Sequence, residues 1–227
     1  LDILEKTNAD MVCADHCCVD HETGQKKEEK TNVAPCMDVP FSSVCDQLTV
    51  AMHNVTYRTD ILQKNNIHLD NCFYTDAEYL LYPIPYVKTV TVAPQTIYMY
   101  RVSLSTQSMN INSLQRNCAM HELVLGHLSD AYAAYENSGT SEPKIAAFLR
   151  RNIARIAGMQ LFIYLTATDS KAAKQSAKAM VKTIKGKSET LYTELNGAKS
   201  FKMLTSTNFL LFPVLASMKK REVGAND

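Results

Sequence analysis

The stretch FYTDAEYLLYP at 73–83 sets one carboxylate, Asp76, among tyrosines at the mouth of a short apolar run that ends in proline. A carboxylate so placed has two uses. In the first turn of a helix its charge is favoured by the helix dipole, by ~0.3–1 kcal/mol. At the edge of a cleft it accepts a proton from a substrate hydroxyl, the work of a general base. The local pattern accounts for the first use unaided. Thr75 and Glu78 fit a T-x-x-E capping box, and Tyr74 and Tyr79 stand where a hydrophobic staple would close.

A second cluster able to do chemistry is CADHCCVDH, which carries Cys13, His16, Cys17, Cys18 and His21. Structural zinc sites use such ligands, but as pairs on tight turns that converge on one point. On a strand-like run neighbouring side chains alternate faces, so Cys13 and Cys17 share a face while His16 and Cys18 point away. The expectation is small apolar cysteines in a buried strand; a Cys/His metal-binding module is the alternative. His121 falls inside the apolar stripe of a helix and reads as a hydrogen-bonded core histidine. His53 lies near the end of a strand-like run before a turn, where α/β enzymes place functional groups. It is a candidate contact for a substrate phosphate or the acceptor, with a half-buried strand residue as the alternative.

The elements that must position these groups fall into two textures. Residues 1–110 mix short β-type runs with turns, and residues 111–220 are almost wholly helical in pattern, so the expected class is α/β with a helical C-terminal region. Residues 9–19 read as a buried strand, followed by a turn at 21–24 and a solvated charged loop, QKKEEKTN. Residues 48–58 read as a second strand, and Thr59 as the cap of a short helix ended by Asn65 and Asn66. Runs 86–92 and 95–100 read as two strands joined by a turn at Ala93-Pro94. From Asn112, the series Leu114, Cys118, His121, Leu125, Leu128, Tyr132 and Tyr135 recurs at helical spacing and is broken at Ser138-Gly139. Helical segments follow at 145–165, 170–184 and 188–195, then an apolar one at 208–218 interrupted by Pro213.

Composition narrows the classes. Of 227 residues, 46% are hydrophobic and 21% charged, which is enough apolar content for a core. The net charge of +1 supplies no electrostatic footprint for nucleic acid. No apolar run is long enough to span a membrane. The opening, LDILEKTNADMV, has neither a basic n-region nor an h-region, so no signal peptide is expected, and it reads as a start in mid-helix. Seven cysteines, an odd count with an adjacent pair, suggest no disulfide framework and a reduced, cytoplasmic setting. The tail from Thr207 to Arg221 couples Phe209, Leu210, Leu211 and Phe212 to a basic cluster. It reads as a terminal helix packed on the domain, with peripheral contact to the inner face of the cytoplasmic membrane as the alternative.

The longer pattern FYTDAEYLLYPIPYVKTVTVAPQTIYMYRVSLSTQSMNI has an acidic motif, an aromatic-aliphatic helix, a proline, a strand, a strand ending IYMYR, and a loop carrying QS before a long helix. Upstream, MHNVTYRTDILQKNNIHLDNCFY has a strand–turn–helix form. Together these closely resemble the C-terminal part of bacterial family 2 glycosyltransferases, GT-A-fold enzymes that build cell-surface polysaccharides from nucleotide sugars. The resemblance is closest over 48–135 and looser over 1–47 and the helical tail.

The resemblance implies a partial GT-A-like mixed sheet over 1–110 and a helical subdomain over 111–227. It implies an inverting transfer from a nucleotide-sugar donor to a glycan or lipid-linked acceptor, with Asp76 at the position of the base. A second, acidic carboxylate is unnecessary because the leaving group is a nucleoside diphosphate. The resemblance also places Arg101, Gln107 and Ser108 on a loop that folds over the donor site, with Arg101 pairing to diphosphate. The complete enzyme is expected to use a divalent metal, Mg or Mn. That metal's Asp-x-Asp motif and the nucleotide-binding strand that opens the family's fold do not occur in this sequence. Alone, the chain is therefore expected neither to bind nor to turn over a nucleotide sugar, and its uncovered strand edges favour a homo-oligomer. The competing reading is a non-catalytic helical module that binds a partner glycosyltransferase or polymerase.

Overall fold

The computed structural model describes residues 2–104 and 107–224 and shows an α/β arrangement: one mixed sheet and a helical layer. A short helix α1 (Asp2–Lys6) leads into β1 (Met11–Asp20), which pairs antiparallel with β2 (Lys26–Glu29). Next come β3 (Cys36–Pro40), α2 (Phe41–Val44), β4 (Val55–Tyr57), α3 (Thr59–Lys64) and α4 (Asp76–Leu81), before the long strand β5 (Thr89–Val102). The sheet order is β2-β1-β5-β3, with β4 antiparallel to the first residues of β1. At its centre β1 and β5 run parallel. Their carboxyl ends, Cys17–Asp20 and Met99–Val102, therefore lie side by side, the end of an α/β sheet at which ligands bind.

The helical region comprises α5 (Ile111–Arg116), α6 (Cys118–Glu136), α7 (Pro143–Thr166), α8 (Ser170–Lys187), α9 (Glu189–Gly197), α10 (Lys199–Ser206) and α11 (Phe212–Gly224). Local chemistry sets several of these limits. Pro143 opens α7, where a missing N–H costs nothing. Asp169 caps α8 by accepting from the Lys171 and Ala172 amides, both at 3.0 Å, and Lys185 and Lys187 complement the dipole at its other end. Ser188 then caps α9 through the Leu191 amide at 3.1 Å.

Helix α7 unites the two regions. Ile145, Phe148, Leu149, Ile153, Ala157 and Leu161 are buried at intervals of one, three and four along it. Phe148 meets Phe41 edge to face at 5.3 Å, and Arg151 donates to the Cys45 carbonyl at 2.7 Å. A single apolar cluster runs from Met11, Cys13 and Val90 in the sheet to Leu204 and Phe212 at the other end of the chain. The opposite face of the sheet is met by α1, and Ala14 and Ala93 on it are buried. There Ile3, Leu4, Val12, Ala14, Ala93 and Ile97 line an open cavity of about 470 Å³.

Several sequence expectations change here. The runs at 86–92 and 95–100 are not two strands around a turn. Residues 89–102 are one strand, and Ala93-Pro94 marks an irregularity within it. The register with β1 passes from Ala14↔Ala93 to Asp15↔Thr96, leaving Pro94 and Gln95 unmatched, then to His16↔Tyr98. Proline has no N–H for a ladder, so a bulge accommodates it without ending the strand. Part of QKKEEKTN is strand rather than loop: Lys26–Glu29 pairs with β1 while its side chains stay largely in water, a charged and short sheet edge. Only Val55–Tyr57 of the expected strand at 48–58 is extended, because Met52–Asn54 forms a 3-10 turn stitched by the Asn54 side chain accepting from the Ala51 amide at 2.7 Å. Thr59 is the first residue of α3 rather than its cap, and Arg58 precedes it.

The strand at 9–19, the helical stripe from Leu114, the break at Gly139 and the helices expected at 145–165, 170–184 and 188–195 appear close to where the pattern puts them. Lys199–Ser206 is a further helix, and the last one begins only at Phe212, after left-handed Asn208 and Phe209, with Pro213 in its first turn instead of interrupting it. In the tail, Phe209 and Phe212 are buried in the core, Leu211 is half-buried and Leu210 is exposed. Two of the four side chains that would form a membrane-facing cluster are therefore spent on packing. Among the described residues no helix is long and apolar enough to cross a membrane.

Candidate active site

Asp76 opens α4, and its side chain is exposed. Among the described residues it makes no hydrogen bond or ion pair, yet its charge is felt by His53, Tyr74 and His121. It therefore lies within electrostatic range of these three rings.

The rings assemble as follows. Tyr98 and Tyr100 are two apart on β5 and so face the same way. His53, in the 3-10 turn, stacks on both, at 5.1 Å from Tyr98 and 4.8 Å from Tyr100. His16 of β1 meets His53 edge to face at 4.1 Å. Tyr74, held at a positive φ of 72° just before α4, donates to the Ser108 carbonyl at 3.1 Å and packs edge to face on His121 at 5.0 Å. His16, His53, Tyr98 and Tyr100 thus form one shelf towards the carboxyl ends of the parallel pair, with Tyr98 45% exposed. Tyr74 and His121 form a second ring pair, and the charge of Asp76 reaches both groups.

Two polar atoms of this shelf are unspent. Nδ1 of His16 and Nε2 of His53 are buried with no hydrogen-bond partner. A buried polar group left without a partner costs ~1–3 kcal/mol, so these two nitrogens weigh against the fold. Burial lowers the pKa of His16, against the charges of Glu29 and Asp15. Burial lowers that of His53 too, aided by His16 and opposed by Asp76. Both rings are held neutral at physiological pH, so each has one nitrogen able to accept.

His121 is a core histidine, as its stripe position implies. It is buried, and its Nδ1 lies 2.7 Å from Gln160 Oε1. Desolvation lowers its pKa, and the Gln160 hydrogen bond only partly opposes this.

The other sequence candidates separate. Ser108 is drawn to the site through its carbonyl. Gln107 is used internally: its amide donates to the Arg101 carbonyl at 2.6 Å and accepts from the Leu104 amide at 3.3 Å, closing the loop after β5. Arg101 follows Tyr100 on the strand and so projects from the opposite face to the shelf; its exposed guanidinium has no ion-pair partner among the described residues. Asp76 lies within electrostatic range of His53, and Ser108 touches Tyr74, while Arg101 stays apart.

The capping box expected at Thr75–Glu78 does not form. Thr75 already has helical angles, φ −66° and ψ −10°, and makes no side-chain cap. Glu78 is fully buried and accepts instead from the Asp70 amide at 2.9 Å and the Tyr82 hydroxyl at 3.0 Å. The staple is absent too. Tyr74 has turned towards His121, and Tyr79 packs on Tyr57 at 5.4 Å while donating to the Val55 carbonyl. The left-handed residue ahead of the helix redirects the chain, so neither pair can meet.

All seven cysteines are free, and Cys13, His16, Cys17, Cys18 and His21 do not bring three ligand atoms within reach of one ion. Sequence reasoning missed Tyr98, Tyr100 and His16 as members of the shelf. A signal for the tyrosines existed, since the alternation in IYMYR aligns them. None existed for His16, whose facing depends on the register shifts beside it. No protein-family model matches this chain, and no curated protein matches it.

Proposed function

We propose that the chain forms the acceptor-binding part of an inverting, nucleotide-sugar-dependent glycosyltransferase of GT-A type, with Asp76 as the general base. The observation that carries this reading is an exposed, unpaired carboxylate beside a shelf of partly exposed aromatic rings at the carboxyl ends of parallel strands. Flat rings take the apolar face of a sugar, and Tyr98, 45% exposed, is the ring most open to one.

In the transfer step the acceptor hydroxyl gives its proton to the Asp76 carboxylate as its oxygen bonds the anomeric carbon. The bond from that carbon to the diphosphate oxygen breaks, and the nucleoside diphosphate leaves with the electron pair. Attack from the face opposite the leaving group inverts the anomeric centre. At the start of α4 the helix dipole favours the ionised carboxylate that this step requires. The expected divalent metal, Mg or Mn, supplies charge stabilisation to the leaving diphosphate in such enzymes. No aspartate here is followed two residues later by another, so that ligand pair is not available and the step draws nothing from it.

A glycan-array binding assay on the intact chain tests the reading. Retention of an oligosaccharide, weakened about 2–10-fold in Tyr98→Ala and kept in Asp76→Asn, is the expected result. Absence of glycan binding, or binding indifferent to Tyr98, would remove the acceptor site and leave the non-catalytic module as the better account.

A further inference from the structure

We propose that Asp70, Glu78 and His127 form a binding site for one divalent first-row transition-metal ion, with Zn²⁺ the best match. The three come from separate places: the loop before α4, α4 itself, and the middle of α6. One ligand atom from each lies within 4.8 Å of the others. His127 Nδ1 is 2.7 Å from Asp70 Oδ2 and 3.8 Å from Glu78 Oε1. Around a tetrahedral zinc with bonds of about 2.0–2.1 Å, ligand atoms sit about 3.3 Å apart. The close pair has only to open and the wider separations to close, by distances that side-chain rotation covers.

Charge makes an ion the natural occupant. Glu78 is wholly buried, a position that carboxylates take only when paired or ligated. Its only ionic partner within 4 Å among the described residues is His127, which is already bonded to Asp70. Two carboxylates thus share one imidazole. Lys187, the cation reaching α6 from α8, is committed to Asp130 at 2.7 Å and to the Gly126 carbonyl at 3.0 Å. A divalent ion would neutralise both carboxylates at once.

The surroundings are those of a supported ligand set. Glu78 is held by the Tyr82 hydroxyl and the Asp70 amide, the outer hydrogen bonds that orient ligating carboxylates. Its floor is closed, while the Asp70 and His127 side chains are 34% and 42% exposed, so an ion has an entry path and solvent can fill a fourth position. One imidazole nitrogen with two carboxylate oxygens suits zinc. Magnesium and calcium favour all-oxygen shells of six or more ligands. Bound there, the ion would tie α4, and with it Asp76, to α6.

The test is calorimetric titration of the intact, chelator-stripped chain with Zn²⁺, alongside Asp70→Asn and His127→Ala. Both positions are partly exposed, and circular dichroism checks that each variant keeps the fold. One ion per chain is expected, bound more weakly in each variant by more than the ~10–100-fold that loss of an outer-shell partner costs. The seven free thiols are the competing sink, so the same titration is repeated with Co²⁺ and followed by absorbance. A d–d spectrum without a thiolate charge-transfer band supports the site. A charge-transfer band, no binding, or affinities unchanged in both variants would overturn it.

Discussion

Asp76 and Glu78 sit two residues apart on one six-residue helix, and the protein treats them in opposite ways. Asp76 is exposed and unpaired beside an aromatic shelf; Glu78 is sealed, with a phenol, an amide and an imidazole around it. Both are carboxylates in a first turn and both gain from the helix dipole. The difference lies in what each faces. Two steps round a helix is about 200°, so one residue turns to the carboxyl ends of the sheet and the other to α6. A motif that looks like one capping device is thus two carboxylates turned to different surroundings.

The strongest way to break this contrast is to remove the proposed base. With a nucleotide-binding half supplied in trans or by fusion, Asp76→Asn is expected to lower sugar transfer by about 10²–10⁴-fold. Its unfolding free energy from urea denaturation should stay within about 0.5 kcal/mol of the parent. Unchanged transfer would mean that the exposed carboxylate is only a helix starter. The converse change, Glu78→Ala, should cost stability: about 2–4 kcal/mol by urea denaturation, since the Asp70 amide and Tyr82 hydroxyl lose their acceptor in the interior. A loss as small as that of Asp76→Asn would erase the distinction between the two residues.

Smaller effects sharpen the picture. Tyr98→Ala should weaken glycan binding by about 2–10-fold, the worth of one aromatic contact, with little change in melting temperature because that ring is half in water. Acid should weaken the fold through the buried histidines. His16, His53 and His121 have pKa values lowered by burial, so the folded state binds fewer protons than the unfolded chain. Their contribution is complete above the unfolded value of about 6.5 and is lost as pH falls through their folded values. Stability measured from pH 7 to 5 should therefore decline, and His121→Gln should flatten the decline. Asp15, Asp60 and Glu136 extend it to lower pH, because their lowered carboxylate pKa values act with the same sign.

The helical half was largely legible in the linear pattern. Helices are local, so the stripe from Leu114 to Tyr135 announces α5 and α6, and Gly139 with its φ of 72° marks their end. The sheet was less so. Pro94 reads as a turn in isolation, and only the parallel partner β1 shows that the chain passes through it in a bulge. QKKEE looks like a loop because strand pairing uses the backbone, to which side-chain hydropathy is blind.

By itself the sequence determined which segments could be helices, where most of them stop, that a core could form, and that Asp76 begins a helix in a tyrosine-rich setting. Only the tertiary structure decided that His16, His53, Tyr98 and Tyr100 share one shelf within reach of that carboxylate's charge, and that Asp70, Glu78 and His127 converge. The physical reason is range. Helical periodicity and capping act within a few residues, whereas these clusters join positions tens of residues apart, and their geometry follows from strand register and helix packing that no single segment encodes.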